Sequence, residues 1–191
     1  MPKIILFNGP PRSGKDTCTK MALEYLGHRA VHYRFASPLK KAIHALFGMP
    51  YIGDEHFDSR KNTPSPLFLG LTPREAYIWL SENAVKPKFG SDFFAKVAVT
   101  AITNMMADHE VVVISDCGFK EEVQALLDAF GADNILLVHL YRAGTSFEGD
   151  SRSYVGEGLE IINEADIHNN GSLESLHSMI KNLVEDFINA K

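Results

Sequence analysis

The chain has 191 residues, 45% of them hydrophobic and 23% charged, the balance of one globular domain with room for a substantial core. A net charge of −5 argues against a nonspecific nucleic-acid binder, which needs a basic surface, but leaves room for a local cationic pocket around a small phosphate ligand. Two cysteines, Cys18 and Cys117, make no disulfide framework, and no ligand spacing joins them to the eight histidines. No run approaches the ~20 apolar residues of a membrane span. The opening run MPKIILFNG is shorter than a secretory leader. The expectation is a reducing, cytoplasmic setting with neither nucleic acid nor membrane as partner.

Residues 4–8 form an apolar, β-branched run that passes straight into Gly9-Pro-Pro-Arg12-Ser13-Gly14-Lys15-Asp16-Thr17. The spacing G-x-x-x-x-G-K is that of a phosphate-binding loop. Its backbone N–H groups point at phosphate oxygens, the following helix adds its positive end, and Lys15 reaches the β- and γ-phosphates. Glycine serves where the backbone curls and where phosphate comes close. The plain alternative is an ordinary glycine-rich turn, but this one leaves a strand and enters an amphipathic helix. Where such loops usually place a magnesium-binding Ser or Thr, this chain has Asp16 followed by Thr17. A carboxylate there can hold Mg²⁺ directly or through water, and it also suits a helix N-terminus on dipole grounds alone. Thr17 is a candidate for the α-phosphate.

Beyond the loop, 17–26 predicts a helix with Cys18, Met21, Ala22, Tyr25 and Leu26 on one face and Gly27 as its stop. Residues 30–35 read as a second strand. Ser37 then N-caps a helix with Pro38 at its first position, which turns Leu39, Ala42, Ile43, Leu46 and Phe47 inward. The stretch 50–70, with three prolines, resists assignment. Thr72-Pro-Arg-Glu75 has capping-box spacing and opens a further helix. Another starts at Ser91-Asp92 and runs to about residue 107. A third apolar strand at 111–115 precedes a helix at 120–130, a fourth strand lies at 135–141, a weaker fifth at 165–168, and Ser172 opens the last helix. Continuous apolar strands alternating with helices predict an α/β fold: a doubly wound parallel sheet of about five strands with flanking helices. The glycine loop makes it a P-loop NTPase fold in a single domain, 1–191. The two long irregular stretches suggest an acceptor-side flap within about 36–90 and a closing lid at about 142–158.

Several segments together resemble the phage-type deoxynucleoside monophosphate kinases. Arg12-Ser-Gly-Lys-Asp-Thr17 looks like the loop of that family. Phe35-Ala-Ser-Pro-Leu-Lys40 looks like its F-A-x-P-L-K segment, and Thr72-Pro-Arg-Glu75 with Trp79-Leu80 like its P-R-E-L-L-Q-W-L segment. Asp116-Cys-Gly-Phe-Lys-Glu-Glu122 is similar to D-x-R-F-x-x-E, and Asn169-Asn-Gly-Ser-Leu173 to N-D-G-S-L. The matches come in family order over nearly the whole chain. The resemblance implies transfer of the ATP γ-phosphate to a dNMP with Mg²⁺, a homodimer, and, for a phage-encoded chain, the host cytoplasm. Gly118 departs from the family arginine. Lys120, two residues on, is a candidate to supply that charge.

The other candidates follow from position. Asp116, at the carboxyl end of a strand, lies at the ligand edge of a parallel sheet and can hold magnesium-bound water; capping the next helix is its bland role. Arg74 sits in the first turn of its helix, where the dipole disfavours a cation unless a phosphate joins it, so it is the favoured ligand of the acceptor monophosphate. Arg34, Ser37, Lys40 and Trp79 are further acceptor-side candidates, each equally readable as surface or core. Arg142 and Arg152 bracket the lid, where arginines can neutralise charge on the moving phosphoryl group, and Asp150 can orient one of them. The resemblance places Asn169 near the adenine. Tyr51, Phe57 and Phe68 with Trp79 are candidates for the walls of a base pocket, although aromatics are more often core. Two rivals stay open: another small-molecule P-loop kinase such as phosphomevalonate kinase, and a nucleotide-binding switch with little turnover.

Overall fold

In the computed structural model, which describes residues 3–190, five strands form one parallel sheet in the order β2-β3-β1-β4-β5. They are β1 (Lys3–Asn8), β2 (Ala30–Tyr33), β3 (Val111–Cys117), β4 (Ile135–Tyr141) and β5 (Asn163–His168). Ile4 to Phe7 in β1, Val111 to Ile114 in β3 and most of β4 are buried, as expected of strands covered on both faces. The fifth strand is longer than its apolar content suggests, because only Ile167 in it is buried. No helix of the described residues is long and apolar enough to cross a membrane.

The chain divides into two compact units. The first comprises Met1–Arg34 and Ala95–Lys191 and the second Phe35–Phe94. In the first unit, α1 (Lys15–Leu26) and α7 (Leu173–Asn189) pack on the sheet. Their Cys18, Ala22, Leu26, Leu176, Ile180, Val184 and Phe187 join Ile5, Phe7, Val113, Val138 and Leu140 in one core. Here α6 (Lys120–Phe130) stops at Gly131, and α7 opens on Ser172, whose hydroxyl accepts from Ser175 N at 3.2 Å. The helix expected from Ser91 begins two residues later, at Phe93, and ends at Met105; it is numbered α5.

The second unit holds α2 (Ser37–Leu46), α3 (Pro73–Trp79), a π-helical stretch Leu80–Val85 and the one-turn α4 (Lys86–Phe89). The capping box forms as its spacing predicts: Glu75 N donates to Thr72 Oγ1 at 3.1 Å and Thr72 N to Glu75 Oε2 at 2.8 Å. Three expectations fail here. Ser37 does not cap α2: Ala36 takes that position and Ser37 lies inside the helix. Leu46 and Ala42 face solvent, and the fully buried member of α2 beside Ile43 is His44. The stretch 50–70, unassigned from sequence, carries buried rings. Phe57 and Phe68 are fully buried with Ile43, Ala76 and Tyr77, so they are core and not the walls of a base pocket. The π-helical stretch had no signal in periodicity. There Asn83 Nδ2 donates to Trp79 O at 3.3 Å, the carbonyl that an α-helix would give to the backbone of residue 83.

Candidate functional site

The glycine loop joins β1 to α1 at the carboxyl edge of the sheet, where open α/β sheets bind ligands. Its shape explains its composition. A Cβ on Gly9 would lie 2.8 Å from Leu140 O and 2.7 Å from Ser13 Oγ. Gly14 has φ 108°, and a Cβ there would lie 2.4 Å from Asn169 Nδ2. Arg12 is left-handed at φ 66°, a conformation that costs a non-glycine residue about 1–2 kcal/mol and that clusters at ligand sites. Gly14 begins α1 without a side-chain cap, which leaves the first-turn N–H groups open to an anion.

Lys15 is 9% exposed. Its ammonium donates to Gly9 O at 2.6 Å and Pro10 O at 2.8 Å, so it folds back over its own loop. Burial, and next the charge of Arg152, push its pKa down to about 8, against the opposing pull of Asp16, Asp150 and Asp116. Ser13 is buried in the loop, and Asp16 and Thr17 are exposed at the head of α1.

The other candidates of the first unit gather at the ends of the strands. Asp116 lies within β3, which runs two residues past the expected end. Its charge reaches Lys15, Arg152 and the buried Glu122. Arg34 follows β2 and is half-buried. Asn169, after β5, donates from Nδ2 to Ser13 O at 2.8 Å and so fastens the glycine loop itself. Arg142, after β4, is exposed and reaches Arg12 O at 3.4 Å. Lys120 is exposed, and its ammonium lies 3.1 Å from where a Cβ on Gly158 would stand. The cationic side chain that lies over Gly118 is that of Arg152, not Lys120.

Arg152 is held by Asp150 through three bonds: Nε to Oδ1 at 2.8 Å, Nη2 to Oδ2 at 2.7 Å and the backbone N to Oδ1 at 3.0 Å. The segment after it is strapped to the sheet. Asn8 is fully buried and donates to Cys117 O and Ser153 O, each at 3.0 Å, while its Oδ1 accepts from Val155 N at 3.2 Å. Tyr154 Oη donates to Leu140 O at 2.9 Å, and Ser153 N to Gly118 O at 3.2 Å. The carboxyl-terminal half of the expected lid is therefore anchored. Glu122 accepts from Gly118 N and Phe119 N at 3.1 Å each, and burial, then Asp116, raise its pKa to about 8. Asn8 and Glu122 were not singled out from sequence, and Gly118 was marked only as a departure from the family arginine. An asparagine ending a buried apolar strand was the one signal present.

Four candidates belong to the second unit. Ser37 Oγ donates to Asp54, and Lys40 forms an ion pair with Asp58. Arg74 is half-buried in the first turn of α3, behind the capping box, and its backbone N donates to Lys61 O at 3.0 Å. Trp79 is 53% exposed where α3 passes into the π-helical stretch.

The loop fits a nucleotide triphosphate: two positions admit no Cβ, a helix begins there uncapped, and a buried ammonium lies among backbone carbonyls. For magnesium the first unit offers Asp16 and Asp116. Among the described residues no cluster of three or more His, Cys, Asp or Glu forms a preformed cage. Mg²⁺ is usually held by one or two carboxylates together with substrate phosphates, so this donor set suits it.

No family model matches the chain. A protein of Acanthamoeba polyphaga mimivirus named "Putative deoxynucleotide monophosphate kinase" is 27% identical over 192 residues, covering 93% of this chain and 94% of the relative. The crystal structure of APE1195 superposes with a TM-score of 0.54 at 14% identity, over 98% of this chain and 97% of that one. A sugar kinase from a Janibacter species gives a TM-score of 0.46 at 13% identity, over 97% of this chain and 95% of that one. Sheet order, glycine loop and viral relative agree with the resemblance carried by the motifs: the chain has a parallel α/β sheet with a glycine loop on its first turn, and it is similar over nearly its full length to a protein bearing a deoxynucleotide kinase name.

Proposed function

We propose that the chain transfers the γ-phosphoryl group of ATP to a deoxynucleoside monophosphate, giving dNDP and ADP. The observation that carries the reading is Lys15, a buried ammonium that donates to two loop carbonyls at the head of α1. Only a ligand rich in negative charge gives such a group a better partner than it has. The deoxynucleotide itself rests on the motif series and on the viral relative.

In this reading Lys15 and the N–H groups of Gly14 to Thr17 at the head of α1, with Gly9, Arg12 and Ser13 of the loop, hold the triphosphate, and Asn169 keeps the loop in shape. Mg²⁺, when bound, neutralises phosphate charge and orients the oxygens, and Asp16 and Asp116 hold it directly or through water. Arg152 and Arg142 stabilise the charge that spreads over the moving phosphoryl oxygens. In the second unit Arg74 at the head of α3 binds the acceptor phosphate with Trp79 in support; in the first unit Arg34 and Lys120 are further acceptor-side candidates. Ser37 and Lys40 join only by exchanging Asp54 and Asp58 for that phosphate. An acceptor phosphate oxygen is already ionised near neutral pH, so the chain needs no general base, and its work is positioning and electrostatics. Residues 36–90 serve acceptor binding. Ser153, Tyr154 and Val155 are tied to the sheet and Asp150 holds Arg152, so closing of the lid falls to the residues before Asp150.

The test is a coupled ADP-release assay with ATP and a panel of dNMPs, NMPs and phosphomevalonate, on wild type and Lys15→Ala. Turnover is expected with one or more dNMPs, and a loss on the order of 10²–10³-fold in kcat for Lys15→Ala at an unchanged melting temperature. Near-normal turnover in Lys15→Ala, or no acceptor-stimulated release at all, overturns the reading.

A further inference from the structure

Gly118 follows β3 and is not among the residues in the left-handed region, so its backbone conformation is open to any L-residue. Its lack of a side chain has another cause. A Cβ at this position would lie 2.5 Å from Arg152 Cγ, 2.6 Å from Cδ and 2.7 Å from Cβ. Real Cβ atoms do not approach so closely. The clash falls on the stem of the arginine, not on a mobile tip.

Nor is Arg152 free to step aside. Asp150 grips its guanidinium and its backbone N–H. The next residue donates to Gly118 O, and the carbonyl of that residue is held by Asn8. The stem thus crosses Gly118 between two fixed points. The guanidinium charge opposes that of Lys15. One cation stands at the head of α1 and the other on the strap after β4, both at the carboxyl edge of the sheet.

The geometry assigns to Gly118 the role of a positioning residue: by carrying no side chain it seats the Arg152 guanidinium at the carboxyl edge of the sheet, on a strap tied to the Asn8 that precedes the glycine loop, so that Arg152 is a resident group of the phosphate site and is not delivered by a closing loop. This rests on the proposed reading that a nucleotide triphosphate occupies the glycine loop. It separates two arginines that the sequence pairs as lid residues. Arg142 is exposed, whereas Arg152 is fixed in advance by Asp150 and Gly118.

The test is a double-mutant cycle with Gly118→Ala, Arg152→Ala and the double variant, read as kcat, ATP KM and the Arg152 Nε–H resonance in a ¹⁵N correlation spectrum. Gly118→Ala is expected to lower kcat by about 10–100-fold, the scale of an ångström-level misplacement, with ATP KM changed less than about threefold. In the Arg152→Ala background the same change is expected to cost less than about twofold, because there is no longer a guanidinium to displace. The wild-type Nε–H resonance, protected by its bond to Asp150, is expected to shift or vanish in Gly118→Ala. Wild-type kcat in Gly118→Ala overturns the inference, and so does an equal cost in both backgrounds, which would mean a general structural effect. If no acceptor supports turnover, the proposed function fails by its own assay. The resonance still decides the seating: an unshifted Nε–H in Gly118→Ala overturns it.

Discussion

Replacing Asn8 with alanine tests the claim that one buried side chain ties the strap 153–155 to the sheet. Asn8 is fully buried and makes three bonds to backbone groups: to Cys117 O and Ser153 O at 3.0 Å each, and from Val155 N at 3.2 Å. The truncation removes all three and leaves buried peptide groups without these partners. At about 1 kcal/mol net per bond the loss is about 3 kcal/mol. For a chain of this length that lowers the melting temperature by about 6–12 °C. The effect should also be local, since Val155 N–H loses its acceptor. If its protection depends on the strap, its hydrogen exchange should speed up by roughly 100-fold. The assay is urea denaturation combined with amide exchange. Asn170→Ala serves as the control, because its side chain is exposed and takes one bond, from Ala143 N at 2.8 Å. That variant should lose less than about 1 kcal/mol. If Asn8→Ala loses no more than the control, or if Val155 exchanges at its wild-type rate, the strap is not held by Asn8.

Two further predictions concern buried titratable groups. His44 lies among Phe57, Phe68 and Tyr77, with Nε2 2.8 Å from Tyr77 Oη, and burial first, then the Lys40 charge among others, holds its pKa below the ordinary 6.5. A depressed histidine binds its proton in the unfolded chain before the folded one. Its stabilising contribution is complete above pH 6.5 and is lost as the pH falls below it. Thermal melts from pH 7.5 to 5.5 should decline less steeply in His44→Phe than in wild type, and equal slopes would refute the assignment. Glu122 behaves in the opposite sense. Its pKa is raised from 4.5 to about 8, so the stability it contributes is complete below pH 4.5 and is lost as the pH rises towards 8. Glu122→Gln keeps a carbonyl for the Gly118 and Phe119 amides, and it should gain stability relative to wild type across that window. Parallel denaturation curves would refute it.

The features legible in the sequence share one property: each is set by neighbours within a few residues. The strands announced themselves because a β-strand buried on both faces must be apolar throughout, as 4–7, 111–114 and 135–138 are. The glycine loop was legible because backbone curvature and the start of a helix are local events, and the box of Thr72 and Glu75 because its two partners are three residues apart. The tertiary structure decided what depends on distant segments. It turned His44 inward and Leu46 outward, since the rings it packs against come from 57, 68 and 77. It made Phe57 and Phe68 core because the irregular stretch that carries them folds over α2 and α3. It brought Ser153 to Asn8 across 145 residues and laid Arg152 over Gly118. Composition and periodicity carry no record of such pairings. The sequence by itself settled a parallel α/β sheet and a glycine loop on its first turn. Which side chain crosses residue 118, and why that residue is a glycine, is decided by packing between segments far apart in the chain.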